Sequence, residues 1–162
     1  MDSSPLGHPA LTDDLTGLPN RLHFEAVYRV VFRAVNRGIP VSVAVLEVDG
    51  YVAGSEEGLA MVKRAGERLR PTVRGADLLA RVDAARFFLL LFDCNPQGAR
   101  IAADRYQEHL SIDGITVSVG VASTARGESP RDPRELISAA EDALARARTM
   151  GGGEVEVVLM AR

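Results

Sequence analysis

LLARVDAARFFLLLF, residues 78–92, decides how this chain folds. Two short apolar runs close on Asp83, Ala84, Ala85 and Arg86, and that order reads as strand, tight turn, strand. Arms this apolar have to be buried, so the rest of the chain must supply their cover. Working outward, Asn95-Pro96 starts a helix predicted to run to about Leu110, and Asp113-Gly114 turns into a strand at 115–122. On the other side a helix is expected from about Glu56 to Arg70, stopped by Pro71. VSVAVLEV, residues 41–48, is β-branched and apolar enough for a central strand.

Asn20 caps an earlier helix predicted to reach about Arg37, with Leu22, Ala26, Val30 and Phe32 to Val35 giving its apolar period. Gly38 and Pro40 end it. Residues 125–133, ARGESPRDP, are a loop by composition. A fourth helix is expected over about Arg134 to Thr149, with Leu136, Ile137, Ala140, Ala143, Leu144 and Ala147 on one face. Gly151 to Gly153 stop it, and EVEVVLM forms a last strand. These glycines follow a helix C-terminus, which repels anions, so they read as a stop and not as a phosphate loop. The element order gives an α/β (α+β) domain, a mixed sheet of about five strands covered by helices.

The 162 residues suffice for one domain with its own core. Residues 1–12 read as a flexible lead-in and residues 13–162 as the domain. A formal net charge of -3 argues against a nucleic-acid surface. No apolar run reaches the ~20 residues a spanning helix needs, and the first residues do not form a secretory signal. The single cysteine, Cys94, excludes an internal disulfide and suits a reducing, cytoplasmic setting. His8, His23 and His109 show no metal-ligand spacing.

Three segments then carry a resemblance: DDLTGLPNR (Asp13 to Arg21), ITVSVGVA (Ile115 to Ala122) and the helix AAEDALARAR (residues 139–148). Together with the hairpin they resemble the GGDEF family of diguanylate cyclases, bacterial enzymes that join two GTP molecules into the second messenger cyclic di-GMP. The resemblance implies a nucleotidyl-cyclase-like sheet built on a ferredoxin-like βαββαβ core. It also places the family's Gly-Gly-Asp/Glu-Glu-Phe signature on the hairpin turn, where only Phe87 agrees. The chain is thus identified as a degenerate member, and cyclase activity is not expected of it.

Each family role can be set on a position here and tested against chemistry. Mg²⁺ needs hard oxygen ligands, which the family supplies from the end of the first strand and from the turn. Those positions are Glu47 and Ala85, the second without any ligand; Asp49 and Asp83 are the nearest carboxylates left. The paired glycines that admit phosphate become Asp83 and Ala84, and the catalytic Glu becomes Arg86. The family's lysine after the first strand falls at Val52, its arginine after the last helix at Gly152, and the basic group of that helix at Arg148. Guanine-reading Asn and Asp fall at Ser55 and Arg64, and Arg offers only donors to guanine N1 and N2. No resident metal or cofactor is expected, and Mg²⁺ enters only if residual GTP binding exists.

One family motif is kept. Arg-x-x-Asp upstream of the signature is the family's inhibitory site for cyclic di-GMP, and Arg74-Gly75-Ala76-Asp77 stands at the matching distance. Arg pairs with guanine O6 and N7, and Asp accepts from N1 and N2. Arg105, with Arg100 as its neighbour, falls where the family often adds a second arginine. The expectation is a cyclic di-GMP receptor, with binding that joins two copies or couples the domain to a partner signalling protein. Two readings stay open beside it: a ligand-free interaction module in which Arg74 and Asp77 are a solvated ion pair, and a residual cyclase or GTP sensor using Glu47, Asp49 and Arg148.

Overall fold

The computed structural model describes residues 9–124, 130 and 132–160. Residues 1–8 of the expected lead-in, and residues 125–129 and 131 of the expected loop, lie outside the described residues. Pro9–Leu11 form one 3-10 turn, and Thr12 bridges to Pro19.

The chain then runs through α1 (Arg21–Phe32), β1 (Val41–Val48), α2 (Glu56–Leu69), β2 (Leu78–Asp83), β3 (Arg86–Phe92), α3 (Pro96–Ser111), β4 (Val117–Thr124), α4 (Pro133–Thr149) and β5 (Val155–Met160). Side-chain caps start the helices as the sequence foretold: Asn20 accepts from the His23 amide and Asn95 from the Gly98 amide. Ser55 caps α2 and Asp132 caps α4 in the same way. The stretch after α1 tightens into a 3-10 turn over Arg33–Arg37 before Gly38, at φ +80°, ends it.

The five strands form one sheet in the order β2-β3-β1-β4-β5. The first four are antiparallel neighbours, the order of a βαββαβ unit, and β5 joins parallel to β4 after the α4 crossover. Alternate residues feed two cores. Leu46, Phe87, Leu89 and Val119 face α2 and α3. Val43, Val45, Phe88 and Leu90 face α1 and α4. Burial on both faces explains why β3 is apolar without alternation.

One expectation for α1 is corrected. Its buried stripe is Phe24, Tyr28 and Phe32, whereas Leu22 and Val30 are 58% and 64% exposed and Ala26 is exposed too. The aromatic side chains bury far more surface, so they win the sheet-facing side. Gly120 in β4 has a clearer logic. A Cβ there would overlap the Ala140 carbonyl and the Leu144 amide, so the glycine lets α4 lie directly on the strand.

Candidate functional site

The register of β1 on β3 sets the chemistry of one end of the sheet. Glu47 pairs across the ladder with Arg86, and the Arg86 guanidinium lies 3.6 Å from its carboxylate. Arg148, from the last turn of α4, approaches the other oxygen of Glu47 to 2.9 Å. Arg86 reaches on to Glu141 at 3.3 Å. Two carboxylates and two guanidiniums thus neutralise one another at the strand end. Asp49 is held separately: Ser118 donates to one oxygen at 2.8 Å and the Gly153 amide to the other at 3.0 Å.

The hairpin tip is braced from within. Arg81 donates to the Ala84 carbonyl at 3.1 and 2.8 Å and pairs with Asp13 at 2.9 Å. Asp13 also accepts from Thr16, and these bonds hold its carboxyl below the usual range against the opposing effect of burial. Ala84 takes φ +30°, a left-handed conformation that costs a non-glycine residue. Ala85 is buried at 2% exposure and its carbonyl accepts from the Val48 amide. Asp83 is exposed on the tip. Ser55 spends its hydroxyl on the α2 cap, and Arg64 is exposed on the same helix. Glu47, Asp49 and Asp83 do not converge: among the described residues no group of three His, Cys, Asp or Glu side chains could hold a metal ion.

The opposite end of the hairpin is differently built. Six residues of strand, roughly 20 Å of rise, separate it from the tip. Here a cavity of about 340 Å³ opens between the segment that leads into β2, the end of β3 and the start of α3. Arg74 and Asp77 form its rim, with Cys94, Gly98 and Ala102 among its walls. Asp77 accepts from the Phe92 amide at 3.2 Å, which fixes the carboxylate at the mouth. Burial pushes its pKa up, opposed by that hydrogen bond and by the charges of Arg74 and Arg105. Arg105 stands on α3 with its guanidinium 5.3 Å from the Tyr106 ring centre. Its Nε and one terminal nitrogen are shielded from solvent and meet no acceptor in good hydrogen-bond geometry; burial raises the pKa of the Tyr106 hydroxyl beside them, and the nearby guanidinium opposes that rise. Arg100 is directed elsewhere, toward Asp104 at 3.6 Å and the Val155 carbonyl. Cys94 is half-buried and burial raises its thiol pKa, which makes it a wall and not a nucleophile.

Sequence reasoning missed Arg81 and Glu141. Arg81 lies inside the quoted 78–92 stretch and Glu141 in the quoted AAEDALARAR helix, where nothing in one dimension shows that the first braces the turn or that the second faces Arg86.

Comparison with known proteins fits this architecture. The profile of the family described as diguanylate cyclase, GGDEF domain, matches residues 10–154. The chain belongs to the GGDEF-domain family. This GGDEF domain is 30% identical to the uncharacterized protein y4lL of Sinorhizobium fredii over 91% of its own length and 19% of that protein's. It is 29% identical to the probable diguanylate cyclase DgcE of Escherichia coli, over 94% of this chain and 15% of that one. It therefore spans about a fifth or less of the length of these relatives. Among solved structures, a microbial GGDEF domain studied for its interaction with cyclic di-GMP superposes with a TM-score of 0.78 at 25% identity, covering 92% of this chain and 97% of that one. The Mg²⁺ that family chemistry calls for does not fit the residues present. Glu47 is already paired with two arginines, both Asp49 oxygens are engaged, and Ala85 has no donor.

Proposed function

We propose that this GGDEF domain is a receptor for cyclic di-GMP that does not perform cyclase chemistry. The observation that carries the reading is the placing of Arg74 and Asp77 on one cavity, with the charge of Arg105 acting on Asp77 from α3 and two of its nitrogens shielded without an acceptor in good geometry. A shielded donor without a partner costs about 1–3 kcal/mol, and an incoming acceptor recovers it. Guanine supplies the matching groups. Its O6 and N7 accept from an arginine, and its N1–H and N2–H donate to the Asp77 carboxylate. A cavity of about 340 Å³ accommodates one base and leaves the rest of a two-base ligand outside, available to a second copy or a partner protein.

Loss of cyclase chemistry is supported by the other end of the hairpin. Arg86 stands where a general base is needed and is bound to Glu47 and Glu141. A triphosphate would meet a self-neutralised cluster and the exposed Asp83, not a cationic cradle. The residual-cyclase reading would require Glu47 to leave Arg86 and Arg148, and it draws no support from the geometry.

The test is calorimetric titration of cyclic di-GMP into the protein, with Arg74→Ala alongside. Micromolar binding that the substitution abolishes is the expected outcome. Absence of heat with the unaltered protein would leave an interaction module without this ligand. Turnover of GTP with Mg²⁺ would overturn the inactive assignment.

A further inference from the structure

Helix α1 carries a second stripe that the domain itself does not use. Phe24, Tyr28 and Phe32 face the sheet. On the far side Leu22, Ala26 and Val30 recur every four residues and stand in solvent. Large residues flank a small one, so the ridge has a hollow at Ala26. Ridges of this i, i+4 kind are what a second helix packs into, crossing at about -50°.

The charge around the stripe is as informative as its shape. Residues 21–37 hold four arginines, Arg21, Arg29, Arg33 and Arg37, against one carboxylate, Glu25, in a chain of formal net charge -3. Several arginines elsewhere on the surface are engaged, Arg68, Arg100, Arg134 and Arg146 each having a carboxylate within 2.6 to 3.8 Å, while Arg64 and Arg74 stand exposed without an ion pair among the described residues, but singly and not along one helix face. On α1 only Arg21 is paired, with Glu25 at 3.8 Å. Among the described residues no ion pair or hydrogen bond involves the side chains of Arg29, Arg33 or Arg37, and all three are exposed.

We infer that the exposed face of α1 is a docking surface for an acidic amphipathic helix of a partner chain. The partner presents small or branched apolar residues along one ridge and Glu or Asp beside them, so that its ridge enters the hollow at Ala26 while its acids meet Arg29 and Arg33. One leucine, one alanine and one valine are too little apolar surface for insertion into a bilayer, whereas a hollow between two larger side chains suits interdigitating helices. The surface is separate from the cavity at Arg74 and Asp77, and neither assignment depends on the other.

The test is an NMR titration of the ¹⁵N-labelled whole chain with a synthetic helical peptide of Leu, Ala and Glu in this pattern, and with a sister peptide carrying Lys for every Glu. Shift changes are expected on the outer face of α1 with the acidic peptide alone. Arg29→Glu with Arg33→Glu should weaken binding at least ~10-fold, and added salt should weaken it as well. Val30→Ser should weaken it about fivefold by removing the apolar contact. Thermal melts of the variants confirm that these surface changes leave the fold intact. Equal binding of the Lys peptide, shifts confined to other elements, or no shift would overturn the inference. So would arginine-dependent sedimentation with phosphatidylserine vesicles in the absence of peptide binding, which would make the surface a lipid contact.

Discussion

Replacing Asp77 by Asn separates a ligand-binding carboxylate from a structural one. The asparagine oxygen can keep the hydrogen bond from the Phe92 amide, now 3.2 Å long, and the substitution removes a charge that burial already disfavours. Lost attraction to Arg74 and Arg105 offsets that relief, so stability should stay within about 1 kcal/mol. Ligand binding has no such compensation. With its oxygen on Phe92, the amide turns an NH₂ toward guanine N1–H and N2–H, and donors then face donors. Losing a charge-assisted hydrogen bond and stranding the donors costs about 3 kcal/mol, or roughly 100-fold in Kd. Calorimetry with cyclic di-GMP gives the affinity, and urea unfolding gives the stability. The pH dependence supplies a second sign. Only the ionised carboxylate is acceptor on both oxygens and makes charge-assisted bonds, so affinity falls as pH drops through the raised folded pKa of Asp77. A carboxyl whose folded pKa is raised holds its proton more tightly when folded, so its own contribution to stability grows over the same window. Affinity and that stability increment, taken as the difference from Asp77→Asn, should move in opposite directions on acidification. A Kd for Asp77→Asn within about threefold of the parent protein would refute the placement of guanine at this carboxylate.

Gly120→Ala should destabilise the protein by more than about 3 kcal/mol, since the new methyl meets α4 backbone that cannot rotate away; urea unfolding with a loss under about 1 kcal/mol would contradict the packing. Ala84→Gly should stabilise by about 1 kcal/mol by relieving the left-handed φ, and it should bring no GTP turnover with it. About 5 mM Mg²⁺ should leave the melting temperature unchanged, because the carboxylates of the strand end are engaged; a reproducible rise that Glu47→Gln removes would reveal a metal site there.

Much of the fold was legible because its signals are local. Asn20 and Asn95 cap helices through atoms three residues away, and Gly38 ends one through its own backbone. The 78–92 hairpin declares itself by two apolar runs around a polar turn. The face of α1 was not legible. Two apolar stripes run along the same helix, and periodicity cannot tell which one meets the sheet; the size of Phe24, Tyr28 and Phe32 decides it. For the proposed site, sequence position singled out Arg74, Asp77 and Arg105 as candidates but not their surroundings. That Asp77 is tethered to Phe92, fifteen residues on, follows from how the two strands of the hairpin lie together. The clamp on Glu47 likewise arises from the β1–β3 register and from where α4 ends, both products of tertiary packing.

The arginine clamp on Glu47 bears on what the domain can hear. In any cell that makes cyclic di-GMP, its precursor GTP is also present, and a sensor with an open triphosphate site would be loaded by the precursor whatever the level of messenger. Under the proposed reading, Arg86 and Arg148 close that channel by neutralising the carboxylate, without bulk or a lid. Occupancy of the domain would then report the messenger alone, which separates the readout from the energy state of the cell.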